Sequence, residues 1–187
     1  MHASVCDYVL DVVQNSVEAG ARTVELDLVE ADGRISVRVS DDGRGMTEEE
    51  QARALDPFRS EGGKHPGRRV GLGLPFLEQA ARAVDGEFSL ESRKGAGTTL
   101  RFSFPIGHMD TPPMGDVPGL FRSALAFDGG YELRIRRRRD ARDGRPGTDY
   151  EVLRSELAEA AGDLTEASAL ILVGRYLKSL EYPGTDG

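Results

Sequence analysis

Two stretches of alternating apolar and polar residues flank an Asp-Gly pair, and they limit the fold more than any other feature of the chain. Val24, Leu26 and Leu28 fall on one side of the segment 23–29, and Ile35, Val37 and Val39 repeat the pattern after Asp32-Gly33. A period of two marks a half-buried strand, and Asp-Gly suits a tight hairpin turn. An antiparallel hairpin with one apolar face needs a second layer to cover that face.

Helices on either side can supply that layer. Val5, Val9, Val12, Ser16 and Val17 recur at helical spacing, which predicts a helix over 4–19 that begins at Ser4 as N-cap and stops at Gly20. Thr47 with Glu50 three residues later is a capping box opening a short acidic helix. Residues 59–71 are glycine-rich and basic and read as a loop. From about Gly73 another amphipathic helix buries Leu77, Ala80, Ala81 and Val84. Strands follow at about 87–92 and 98–105, joined by Lys94-Gly95-Ala96-Gly97. The order α-β-β-α-loop-α-β-β predicts an α/β (α+β) two-layer sandwich, with helices on a mixed, mostly antiparallel sheet.

The bulk properties narrow the class. The 187 residues suffice for one domain with an appendage, and 39% hydrophobic with 30% charged residues is a globular balance. The net charge of −8 argues against general nucleic-acid affinity. The apolar run 169–173 is too short to span a bilayer, and the first residues lack a basic and apolar leader. Cys6 is the single cysteine, so no disulfide forms within the chain, and a cytoplasmic location is expected. Three scattered histidines offer no zinc cluster.

Four local patterns carry the functional reading. Asp11 and Asn15 stand one helical turn apart, on one face of the first helix. Asp41-Asp42-Gly43-Arg44-Gly45-Met46 ends the second strand, Val70-Gly71-Leu72-Gly73-Leu74-Pro75 precedes a helix, and Gly95-Ala96-Gly97-Thr98-Thr99 opens the last strand of the pattern. Each alone is ordinary: a polar pair on a helix, or a glycine turn. Gly71-x-Gly73 is not a dinucleotide fingerprint, because Phe76 holds the third glycine position and a loop precedes it.

Taken together, in this order and on these elements, the four patterns resemble the nucleotide boxes of the GHKL (Bergerat-fold) superfamily, which includes histidine kinases, MutL, gyrase B and heat-shock chaperones. The resemblance covers about residues 4–107. It implies ATP and Mg²⁺ as cofactors. Asn15 would ligate the metal through its amide oxygen, and Asp11, where many relatives have Glu, would act as the base. Asp41 would accept from the adenine amino group, a role that fits an acceptor-only carboxylate. Gly43, Gly45 and Met46 would line the base, Gly71, Leu72, Gly73 and Leu74 the phosphates, and Thr98 the adenine pocket. Asp56-Pro57-Phe58 resembles the Phe segment that histidine kinases place before their ATP lid, with Lys64 nearest to the family's lysine.

Residues 108–116 are punctuated by proline and glycine and read as a linker between 1–107 and a small, mainly helical extension over 117–187. Helices are expected at 117–127, 149–161 and 166–180, the last capped by Thr165, and a strand at 131–136. Arg134 to Arg145 holds seven arginines and two aspartates, read as an exposed hairpin. His-x-Asp-x-Pro-Pro-x-Gly-Asp at 108–116, with the helical end, resembles small stand-alone ATP-binding proteins encoded beside [FeFe]-hydrogenase subunits. The resemblance also implies that a histidine kinase's phospho-acceptor hairpin, which comes before this domain, is missing here. The expected activity is therefore a regulatory protein kinase or ATPase acting on a partner protein in trans, with a nucleotide-dependent switch or a binding module without phosphotransfer as the alternative. The oligomeric state stays open, a homodimer among the options.

Overall fold

The computed structural model describes residues 4–58, 73–142 and 144–184. The hairpin forms as its alternation requires. Strand β1 (Thr23–Ala31) pairs antiparallel with β2 (Arg34–Asp41), turning through Asp32 and Gly33 at φ 51° and 73°. Two positive φ values at the centre match the hand of the strand twist. Strands β3 (Phe88–Arg93) and β4 (Gly97–Pro105) add to the β2 side. On the other side, β5 (Glu132–Arg139) lies parallel to β1, and β6 (Thr148–Leu153) pairs antiparallel with β5. The six-stranded sheet has the order β3-β4-β2-β1-β5-β6. A parallel neighbour needs a long crossover, and the chain from 106 to 131 provides it.

The sheet faces differ. Leu26, Leu28, Val37, Val39, Phe102 and Ile135 are buried beneath the helices. These include α1 (Val5–Glu18), α3 (Gly73–Ala83), α4 (Val117–Leu125) and α6 (Ala167–Glu181). The opposite face carries Arg38 with Glu25 and Asp27 at 3.0 and 3.1 Å, and Arg136 with Glu151 at 2.7 Å. This is the expected one-sided sandwich of helices on a mixed, mostly antiparallel sheet.

Local chemistry fixes the helix starts. Ser4 and Asp7 form a capping box on α1, and Thr47 and Glu50 form another on α2 (Glu48–Ala54). The first amides of α1 are also bonded from outside: Val5 and Cys6 donate to the carbonyls of Pro113 and Met114 at 2.8 and 3.0 Å. Segment 108–116 is therefore a strap across the start of α1. It leads into α4, whose cap Asp116 accepts from the Gly119 amide at 3.1 Å.

Three sequence readings need correction here. Residues 149–161, expected as one helix, divide into β6 and α5 (Arg154–Ala161). The leucines suit a helix, but pairing with β5 decides the first half. Thr165 does not cap α6. Its amide and hydroxyl are bonded to Asp163 at 2.9 and 2.8 Å, and Glu166 holds the cap position without a side-chain bond. The arginine-rich stretch is not wholly exposed, because strand alternation turns Arg137 and Arg139 inward, with side chains 0% and 10% exposed.

Candidate functional site

A cleft of about 590 Å³ opens between α1, the β2 end, the α3 start and the β3–β4 hairpin. That volume lies within the range of small-molecule and cofactor sites. Its walls include Asp11, Asn15, Asp41, Gly45, Met46 and Thr98, with Gly73 and Leu74 at the α3 start. These eight were singled out from sequence segments far apart, and the fold brings them to one cavity. Gly43 is buried directly behind Asp41. Lys64, Gly71 and Leu72 lie outside the described residues, as do Arg59, Arg68 and Arg69.

Asp41 is held from two sides. Buried Ser16 donates its hydroxyl to one carboxylate oxygen at 2.7 Å, and the Gly43 amide donates to the other at 2.9 Å. Each oxygen has two acceptor sites, so capacity remains for a donor entering the cleft. Val39, Leu90 and Leu100 add apolar walls nearby. A flat apolar ring with an amino group suits this end of the cavity.

The glycine turn after Asp41 is clamped at each point. The Arg44 amide donates to the Ala19 carbonyl at the α1 end, and the Gly95 amide donates to the Arg44 carbonyl. Asp42 accepts from the Arg22 and Thr23 amides at 2.7 and 2.9 Å. Those bonds, that of Thr23 foremost, hold its carboxyl below the usual range. Asp42 is thus a brace, and Asp41 is the carboxylate that faces the cleft. Met46 donates its amide to Ser92 Oγ at 2.9 Å, and Ser92 in turn shares a 2.8 Å hydrogen bond with Thr98.

At the other end of the cleft, Asn15 Nδ2 donates to Asp11 Oδ2 at 3.3 Å. The amide oxygen of Asn15 is then the end left to meet a cation. Asp11 also packs on the α3 start, where a Cβ placed at Gly73 would overlap its carboxylate. No group of three or more His, Cys, Asp or Glu side chains able to hold a metal occurs among the described residues. One neutral oxygen suits Mg²⁺, which keeps several waters and shares the phosphates of a bound nucleotide.

Sequence reasoning passed over Ser16 and Ser92 as site residues. Ser16 left a signal: a hydroxyl on the core stripe of an amphipathic helix must find an acceptor. Ser92 left none, since its partners come from the β2 end and the β4 start. Phe58 is 95% exposed beside the undescribed segment 59–72. Cys6 offers no reactive thiol, because burial, then Asp116 and Asp7, push its pKa up to about 12. Among the described residues, no helix is long and apolar enough to cross a membrane.

Known proteins place this architecture. The histidine protein kinase DivJ of Caulobacter vibrioides is 33% identical over 101 residues, which cover 52% of this chain and 17% of DivJ. The cell-division control histidine kinase PdhS of Brucella canis is 30% identical over 115 residues, covering 54% of this chain and 11% of PdhS. The chain therefore spans under a fifth of either relative. A solved N-terminal domain of a DNA repair protein matches 89% of this chain and 58% of its own, with a TM-score of 0.53 and 13% identity. That likeness is one of fold, and its extent takes in part of the region beyond residue 108. Residues 4–108 match the family model of histidine kinase-, DNA gyrase B-, and HSP90-like ATPases, and the chain belongs to that family as an ATP-binding protein.

Proposed function

We propose that the chain binds ATP with Mg²⁺ in this cleft and uses it on a partner protein, as a kinase acting in trans or as a partner-coupled ATPase. The observation that carries this reading is the convergence of Asp11, Asn15, Asp41 and Thr98 on one cavity. Asp41 accepts the adenine amino group and, having no donor, disfavours a guanine carbonyl. Thr98 lines the base end of the cleft, held there by its hydrogen bond with Ser92. Asn15 ligates the metal, whose chemistry is to neutralise charge on the phosphates. Gly71, Leu72, Gly73 and Leu74 present backbone to the phosphates, and Lys64 adds a positive charge.

Asp11 stands one helical turn from Asn15, where it can take the proton of an attacking hydroxyl, imidazole or water. The phosphoryl group then goes to that acceptor, and ADP leaves. His108, the histidine among the described residues, is exposed in a turn after β4 and not on a helix, so it is a poor acceptor within the chain. The resemblance of 108–116 to hydrogenase-associated proteins directs the search for acceptors to proteins encoded beside this one. A nucleotide-reporting switch is the second reading, favoured by the strap that ties 113–114 to the helix carrying Asp11 and Asn15.

Incubation with γ-labelled ATP, with and without neighbouring gene products, separates the readings. Label on a neighbour is the kinase result. Free phosphate alone is the ATPase result. Tight binding with neither result supports the switch and removes the phosphotransfer proposal.

A further inference from the structure

The cleft walls hold three carboxylates, Asp11, Glu18 and Asp41, against one cation, Arg44, among the described residues. ATP is a polyanion, so each carboxylate lining its site must meet a hydrogen-bond donor or a cation. Asp11 and Asp41 have such partners in the reading proposed above, on which this inference rests. Glu18 has none there. It is the last residue of α1 and lies exposed at the rim. A helix C-terminus disfavours a carboxylate, and the last turn of α1 carries no basic residue.

Gln14, also on the cleft wall, donates Nε2 to Glu18 Oε1 at 2.9 Å. That bond steadies the carboxylate and leaves Oε2 to accept from a ligand. Among the described residues no cation pairs with Glu18. Asp11, Asn15 and Glu18 follow at spacings of four and three residues, so they share one face of the helix. Asp11 and Asn15 mark the phosphate and metal end. Ser16, which bonds Asp41, and Ala19, whose carbonyl accepts from the Arg44 amide at 3.1 Å, mark the base end. Glu18 thus stands at the rim beside the base end, where the sugar leaves the base. A phosphate would be repelled there, and the adenine amino group belongs to Asp41. The donors that remain on the nucleotide are the ribose hydroxyls.

We infer that Glu18 accepts the ribose 2′- and 3′-hydroxyls and that Gln14 holds its carboxylate in place for them. Glu18 is then a specificity residue: it selects a ribonucleotide, as Asp41 selects adenine. A carboxylate on ribose hydroxyls serves the same purpose in dinucleotide-binding folds.

Titration of the full chain with ATP and with 2′,3′-dideoxyATP, both with Mg²⁺, tests it. The wild type is expected to bind ATP about 10-fold more tightly than the dideoxy nucleotide, the worth of a charge-assisted hydrogen bond at an exposed rim. Glu18→Ala should bring the two affinities to within about 2-fold of each other, the signature of a lost pairwise contact. Its affinity for the dideoxy nucleotide should not fall, because only a repulsive charge is removed, and its circular dichroism spectrum should match the wild type. Glu18→Gln keeps an uncharged acceptor and should keep a reduced preference for ATP. A wild type that binds ATP and the dideoxy nucleotide equally overturns the inference and leaves the cleft reading standing. So does a preference for ATP that survives Glu18→Ala at full strength. A wild type that binds neither nucleotide overturns both.

Discussion

Glu181→Ala lowers the unfolding free energy by about 3–5 kcal/mol, the usual cost of removing one partner from a buried charge cluster. Glu181 sits at the end of α6 and is 1% exposed. Its carboxylate receives Arg137 through Nε at 3.1 Å and Nη2 at 2.9 Å, Arg139 through Nη1 at 2.7 Å, and the Tyr150 hydroxyl at 3.1 Å. Arg137 is further bonded to Glu30 and to the Leu28 and Arg138 carbonyls. This cluster joins β1, β5, β6 and α6 beneath the sheet. Without Glu181, two guanidinium groups stay buried with Glu30 as the remaining carboxylate partner. Urea unfolding followed by circular dichroism measures the loss, and a change below about 1 kcal/mol would refute the account. Replacing Glu181 and Arg137 together with leucine and methionine should recover part of the loss, because the burial of unpaired charge is what costs stability.

Gly97→Ala should cost about 2–5 kcal/mol and weaken nucleotide binding as well. Gly97 has φ +84°, and a Cβ there would overlap the carbonyl oxygen of Asp41. Alanine in the left-handed region carries a penalty of about 1–3 kcal/mol. The overlap with fixed backbone adds a similar amount. The collision is with the residue that faces the cleft, so relief must move Asp41 or the start of β4. Gly95→Ala is the matched control: its φ is also positive, at +78°, but a Cβ there meets nothing within 4 Å. It should lose stability through φ alone and keep its nucleotide affinity. Equal loss of affinity in both variants would contradict the role given to the Asp41 contact.

The elements up to residue 105 were legible because period and punctuation agreed. Alternation at 23–39 read as strands, Asp32-Gly33 as their turn, and Thr47 with Glu50 as a helix start. The second half was harder. Strand β6 has only Tyr150 and Val152 as apolar residues on its inward side, beside Thr148, and its sequence runs directly into helix formers. Its state is set by β5, which no local window contains. Arg137 and Arg139 read as solvent charge because their partner Glu181 lies more than forty residues away. The segment 108–116 carried the marks of a linker, and nothing in it announced hydrogen bonds to the start of α1. For the cleft, glycine and acid patterns named the loops that converge, whereas Ser16 and Ser92 act through partners brought near by folding alone.

Isothermal titration of the full chain with ATP and Mg²⁺ tests the central claim most directly. The wild type should bind one ATP per chain and bind GTP more weakly. Asp41→Ala and Asn15→Ala should each lose about 10- to 100-fold in ATP affinity, the worth of one charge-assisted or metal-linked contact. ATP affinity unaltered in both variants would contradict the assignment of the cleft.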